Sequence, residues 1–182
     1  MDGIFRSGPK AIVGVKSART RNGSIGRFVY RLLRGAPFKT EGDKVEGSEW
    51  ILRRVPREGD PLYYDPTQDK PLQRVAFRPN RQDTDGLSLF RESFISSRQL
   101  AMTGGKPPYH IVRLKACRVC EIGLTVVAAP DPDQPPGHVI IPELCFRKSE
   151  SRLQKEQANK FQLALRDVVD LKSSLFQRHS AG

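Results

Sequence analysis

The chain of 182 residues is strongly basic, with 31 Lys and Arg residues against 20 Asp and Glu residues and a formal net charge of +11. This length predicts a single domain with room for a tail. No apolar run approaches the ~20 residues that cross a bilayer, so we expect no membrane-spanning helix. The N-terminus lacks the apolar run of a secretory signal. The three cysteines are an odd number, which does not suit a disulfide framework. We therefore expect a cytoplasmic protein.

Residues 1–40 are predicted to be a flexible basic arm. They contain nine Lys and Arg residues and one acidic residue, Asp2, and so carry most of the net charge. Gly and Ser interrupt every apolar pattern before residue 27, which is typical of a segment without a core. Residues 27–34 could form a basic helix of about two turns, too short to be stable without a partner.

The arm predicts a partner with negative charge. Cations without neighbouring acids bind nucleic-acid phosphates through counterion release, without reading the base sequence. The candidate nucleic-acid-binding residues are Arg19, Arg21, Arg27, Arg31 and Arg34. An acidic protein is the other candidate partner, and a solvated tail without a partner explains the same composition. The sequence does not define an oligomeric state.

Residues 41–182 are predicted to form one α+β domain. Residues 40–48 are acidic and contain Gly, which suggests a hinge. Strands are predicted at 50–55, 73–77, 109–114, 124–128 and 138–141, and helices at 88–102, 115–122 and 151–176. Gly123 is expected to end the second helix. The third helix is a long amphipathic C-terminal helix, and Ser151 with Gln154 at its start resembles a capping box. The strands predict a small mixed β-sheet.

Cys117 and Cys120 form a Cys-x-x-Cys pair that is a weak candidate for a metal site. With His138 and Cys145 they give four potential zinc ligands, but the wide spacing of the last two is unusual for a structural zinc site. Two small residues on one helix face that point into a core explain the pair equally well. We expect no metal and no cofactor.

Arg53, Arg54, Ser88 and His138 are the candidate site residues. The two arginines lie on a strand and so point to opposite faces, where one could bind a phosphate or a carboxylate. An ion pair with Glu58 or Asp60 is the structural alternative. His138 opens a strand after a Pro-Pro-Gly loop and could act as a general base. A histidine that donates to a loop carbonyl is the alternative, and Ser88 is the candidate hydroxyl group.

Several short motifs occur in a fixed order between residues 51 and 144. They are Leu-Arg-Arg-Val at 52–55, Ala-Phe at 76–77, Asp-Gly-Leu-Ser-Leu at 85–89, Gly-Leu-Thr-Val at 123–126, and Asp-Pro at 131–132 followed by His-Val at 138–139. This order resembles an uncharacterised family of small bacterial proteins. The resemblance implies no activity. It implies an ordinary helix around Cys117 and Cys120, and it draws attention to Arg53, Arg54, Ser88 and His138.

Two functions follow from these observations. The first is a non-catalytic cytoplasmic binding or accessory protein whose arm contacts nucleic acid or an acidic partner. The second is an enzyme acting on a nucleotide-like substrate with Arg53 or Arg54, Ser88 and His138. An Arg-bearing strand followed by a Ser-bearing segment is similar to the layout of ADP-ribosyltransferases, in which such residues bind a dinucleotide. The acid expected as a catalytic glutamate is missing from the pattern.

Overall fold

A five-stranded antiparallel sheet organises the described part of the chain, which comprises residues 39–57, 61–103 and 109–176 of a computed structural model. The strands are β1 (Trp50–Val55), β2 (Leu87–Arg91), β3 (His110–Lys115), β4 (Val127–Ala128) and β5 (His138–Ile141). Their order across the sheet is β3-β1-β2-β5-β4. Every pairing is antiparallel, where the sequence predicts a mixed sheet.

Three α-helices and two 3-10 helices complete the described elements. The α-helices are α1 (Ser97–Ala101), α2 (Ala116–Glu121) and α3 (Arg152–Asp167). The 3-10 helices are Arg74–Phe77 and Pro142–Leu144. The predicted α+β class is therefore confirmed. Within the described residues, no helix combines the length and apolar character needed to span a membrane.

The two faces of the sheet contact separate cores. The main core includes Ile51, Leu89 and Val139, and it also receives Leu165 from α3. The smaller core on the other face includes Leu52, Phe90 and Ile111, with Leu100 of α1. Because side chains alternate along a strand, these two sets mark opposite faces. The face of the smaller core also carries Arg54, which pairs with Ile111, and His138, which pairs with Phe90. Ser88 lies two residues before Phe90 on β2 and therefore points to the same face.

Three predicted elements are wrong in type or extent. Of the predicted strand 73–77, Arg74–Phe77 form a 3-10 helix. The predicted helix 88–102 consists of strand β2 followed by the five-residue α1. Both faces of β2 are covered by a core, so Leu89 and Phe90 are both buried and the strand lacks a simple alternation. Of the predicted strand 124–128, only Val127–Ala128 pairs with the sheet.

The C-terminal helix is shorter than its apolar pattern predicts. It begins at the expected capping box, in which the Ser151 side chain accepts from the backbone of Gln154, and it ends at Asp167. The apolar residues that follow return along β3, where Val169 bridges Leu114 and Leu175 bridges Ile111. Their apolar pattern therefore reflects packing on the sheet edge. The prediction for α2 is confirmed, and Gly123 follows it with a φ of +81°.

Candidate functional site

Ser88 and His138 form a hydrogen-bonded pair on the face of the smaller core. His138 Nδ1 lies 2.6 Å from the Ala129 carbonyl oxygen, and Nε2 lies 3.1 Å from the Ser88 hydroxyl oxygen. A carbonyl oxygen only accepts, so Nδ1 carries the hydrogen. In the neutral ring Nε2 is then left as an acceptor for the Ser88 O–H. The pair has the arrangement of a hydroxyl group beside an oriented base.

The loop before His138 fixes the position of this ring. Gly137 has a φ of +79°, and a Cβ added there would lie 2.8 Å from the Cβ of Phe94. Only glycine fits this close approach without strain. The His138 ring also packs at 5.5 Å from the Phe90 ring, and the residue is 7% exposed. His138 is therefore held in one orientation and still reaches a pocket.

The pocket beside the pair has a volume of about 360 Å³. Besides Ser88 and His138, its lining includes three carboxylates and two amides: Asp83, Asp85, Asp131, Gln82 and Gln134. Asp83 is almost fully buried, and its carboxylate accepts from the Asn80 backbone. The volume lies at the lower end of the range for small-molecule sites. Polar groups therefore surround the hydroxyl–imidazole pair on the open side.

Arg53 supports this site from within the protein. Its guanidinium donates to the backbone carbonyl of Ser88 at 2.8 Å and lies 3.9 Å from the Asp83 carboxylate. The residue is 7% exposed, and its Nε has no hydrogen-bond partner among the described residues. Burial lowers the pKa of Arg53, and the nearby Asp83 charge partly offsets this effect. Arg53 therefore connects β1 to Ser88 and to Asp83.

Arg54 lies on the face that carries Ser88 and His138. It donates to the Gln134 side-chain oxygen at 3.2 Å, and it lies over the rings of Phe90 at 4.8 Å and Tyr109 at 5.4 Å. It forms no ion pair with any carboxylate in the described part of the chain. Burial lowers the pKa of Arg54. Its hydrogen-bond and ring partners are therefore neutral, and the Asp83 charge acts on it from beyond ion-pair distance.

A third arginine, Arg91, has a role that sequence reasoning missed. It is fully buried, and it binds both carboxylate oxygens of Glu49 at 2.9 Å. Its remaining guanidinium nitrogen donates to the carbonyl of Asp43 at 2.9 Å and lies 3.4 Å from two further carbonyls. Residues 40–48 are therefore fixed to the domain, where a hinge is expected from their composition. Nothing in the sequence marks Arg91 as the partner of Glu49, because the pairing of β1 with β2 brings the two residues together.

The structure does not bring the other candidate residues into this site. Cys117 and Cys120 lie on α2, and Cys120 is exposed. Among the described residues, no group of three or more His, Cys, Asp or Glu side chains is placed to hold a metal ion. Residues 1–38 of the predicted arm lie outside the described part of the chain. They include all five candidate nucleic-acid-binding residues: Arg19, Arg21, Arg27, Arg31 and Arg34. Lys39 is ion-paired to Glu49 at 3.0 Å.

Comparison with known proteins adds no identity to this geometry. No family model, no curated protein and no solved structure matches the chain. The resemblance to small bacterial proteins between residues 51 and 144 therefore stays a prediction. The function has to be argued from the site alone.

Proposed function

We propose that the protein is an enzyme that acts on a nucleotide-like substrate, with Ser88 as nucleophile and His138 as its general base. The observation that carries this proposal is the pair of hydrogen bonds made by the two ring nitrogens of His138. One nitrogen is occupied by a backbone carbonyl, and the other accepts from a hydroxyl that borders a pocket. Nucleophilic serines in enzymes are activated by this kind of contact.

The proposed reaction begins with transfer of the Ser88 proton. As Ser88 Oγ forms a bond to the electrophilic centre of the substrate, its proton passes to His138 Nε2. The imidazolium gives that proton to the leaving group as the bond to this group breaks. The Ala129 carbonyl, which accepts from Nδ1–H, stabilises the imidazolium in the place that a carboxylate takes in a Ser-His-Asp triad. Water then releases the substrate from Ser88 by the reverse sequence.

The groups around the pair support a nucleotide-like substrate. A carboxylate is a suitable acceptor for ribose hydroxyls, as in dinucleotide-binding folds. Asp85 and Asp131 line the pocket and supply such acceptors. A guanidinium binds phosphate with fixed geometry, and Arg54 lies beside the pocket through its bond to Gln134. Arg53 in this proposal positions Ser88 and does not bind the substrate, because its two terminal nitrogens face a backbone carbonyl and Asp83 and the residue does not line the pocket.

A panel of nucleotides tests the proposal. Full-length protein is incubated with NAD, ATP and a nucleotide sugar, and products are followed by chromatography with mass detection. We expect turnover of at least one of these probes. Ser88→Ala should lower kcat at least about 100-fold, since positioned acid–base catalysis contributes 10²–10⁴-fold. Arg54→Gln should raise KM more than it lowers kcat, because its guanidinium is proposed to bind an anionic group.

Ser93→Ala is the matched control, since Ser93 is an exposed serine two residues after β2. It should keep wild-type kcat. Turnover that survives Ser88→Ala would remove Ser88 as the nucleophile. Binding of a nucleotide without turnover would favour the binding function and exclude the enzyme.

The binding function expected from the arm remains a second prediction. Its residues lie outside the described part of the chain, and no contact of theirs supports or opposes it. A cytoplasmic location is part of the present proposal and rests on the odd number of cysteines, because reduced thiols are the rule in that compartment.

A further inference from the structure

A second, larger cleft lies on the side of the domain where α3 begins. Its volume is about 930 Å³. Its walls come from the first 3-10 helix, from the segment that follows β5, and from the first three turns of α3. Five cations line it: Arg74, Arg78, Arg147, Lys148 and Lys155. We call these five residues and the space between them the basic cleft.

The cations of the basic cleft have no carboxylate within ion-pair distance among the described residues. Some other exposed cations are paired with carboxylates, as in Lys70–Asp167 at 3.0 Å, Arg118–Glu121 at 2.7 Å and Arg152–Glu156 at 2.9 Å. None of the five cleft cations forms an ion pair in the described part of the chain. Arg74 donates to the amide oxygens of Asn159 and Gln162, and Arg147 donates to the Cys145 sulfur.

The acids of the basic cleft do not neutralise it. Only Glu143 and Glu150 line it. Glu143 accepts from the Thr125 hydroxyl at 2.6 Å. The cleft thus keeps an excess of positive charge in a concave surface, where a field of one sign is focused and attracts polyanions.

Aromatic side chains in the basic cleft favour a nucleic acid over an acidic peptide as the bound polyanion. Phe146 and Phe161 line the basic cleft and are partly exposed, and Phe161 also packs against the main core. Cations that follow a backbone combined with aromatic rings for stacking are the features of single-stranded nucleic-acid sites. An acidic peptide would use the cations but would leave the rings without a stacking partner. We propose that the basic cleft binds a single-stranded nucleic acid, with phosphates on the cations and a base on Phe146.

Fluorescence anisotropy with a labelled oligomer of twenty deoxythymidines tests this proposal on the full chain. The cleft variant is Arg78→Gln, Lys148→Gln, Lys155→Gln. The control variant, Lys44→Gln, Arg98→Gln, Lys172→Gln, removes the same charge from other exposed positions. Both keep the N-terminal arm, so its contribution is constant.

We expect the cleft variant to bind more weakly and with less dependence on salt. Each phosphate contact on a single strand contributes about 0.7 to the slope of log K against log salt, so three contacts contribute about 2. The dissociation constant at 0.1 M salt should rise on the order of 100-fold by the same relation. Phe146→Leu should weaken binding about tenfold and leave the slope unchanged, because stacking carries no counterions.

Equal losses in the cleft and control variants would overturn the proposal, as would a cleft variant that binds like the wild type. Polyglutamate is added as a competitor to test the class of partner. Displacement by polyglutamate as effective as that by unlabelled oligomer would show an acidic-peptide site and overturn the nucleic-acid assignment. Urea midpoints equal to that of the wild type confirm that each variant is folded.

Discussion

Replacing Glu49 with Gln is expected to destabilise the fold by about 3 kcal/mol at neutral pH. Glu49 is nine-tenths buried, and its carboxylate pairs with the fully buried Arg91 through two bonds of 2.9 Å. Removing one partner of a buried pair leaves an uncompensated charge, which typically costs about 3–5 kcal/mol. The same contact holds residues 39–49 against β2, so its loss should lower the free energy of unfolding of the whole domain.

The pKa of Glu49 gives a second route to this magnitude. Burial alone would raise the pKa, but hydrogen bonds from Arg91, the Glu46 backbone and Lys39 lower it from 4.5 to about 2. At 1.36 kcal/mol per pKa unit this difference corresponds to about 3 kcal/mol. Because the folded-state pKa lies below the unfolded-state value, the stabilisation is present above pH 4.5. It is lost as the pH falls towards 2.

Urea denaturation of full-length protein between pH 7 and pH 2 measures both effects. The wild type should lose about 3 kcal/mol across the acid range through Glu49 alone, and Glu49→Gln should lack this component. Glu46→Gln is the control, because Glu46 lies on the same segment, is exposed and pairs with the same Lys39. It should cost less than about 1 kcal/mol. A Glu49→Gln variant as stable as Glu46→Gln, with an unchanged acid slope, would refute the reasoning.

Two further substitutions test the packing that supports the site. Gly86→Ala should cost about 2–3 kcal/mol in urea denaturation, because the new Cβ would lie 2.7 Å from the Ile141 carbonyl oxygen at a φ of +154°. Gly42→Ala should leave the stability unchanged, because a Cβ at Gly42 would have no heavy atom within 4 Å. Equal losses of stability in the two variants would contradict the close approach of Gly86 to Ile141. Leu165→Ala should cost about 2–5 kcal/mol because the side chain is fully buried in the main core. Leu163→Ala is the matched comparison, because Leu163 is exposed on the same helix. An equal loss of stability in both variants would contradict the burial of Leu165 in the main core.

The elements whose residue types fit only one kind of secondary structure were predictable from the sequence. β1, β3 and β5 are short runs that contain β-branched residues and match no helical spacing, and α3 begins at a capping box that satisfies two backbone N–H groups. β2 was not predictable, because it is buried on both faces and its residues also match a helical spacing. The return of residues 168–176 along β3 depends on tertiary contacts, which a local pattern does not contain.

The members of the site were predictable, but their contacts were not. Ser88 and His138 were candidates by residue type and position, and the register between β2 and β5 brings them together. Gln134 was missed and Asp83 was not assigned to this site, because both lie in polar loops, where such residues are common. Only the folded chain places them at the pocket.

Three arginines on the central strands show how partners decide between structure and function. A buried charge is costly unless it is paired. Arg91 has the two oxygens of Glu49, and Arg53 has a carbonyl and the Asp83 carboxylate nearby. Arg54 has only an amide, a hydroxyl and two aromatic rings among the described residues. Burial lowers the pKa of Arg54 although its side chain is still partly exposed, and an anionic group of a substrate would supply the close charged partner that it lacks. For this reason Arg54, and neither of the other two, is the arginine assigned to the substrate.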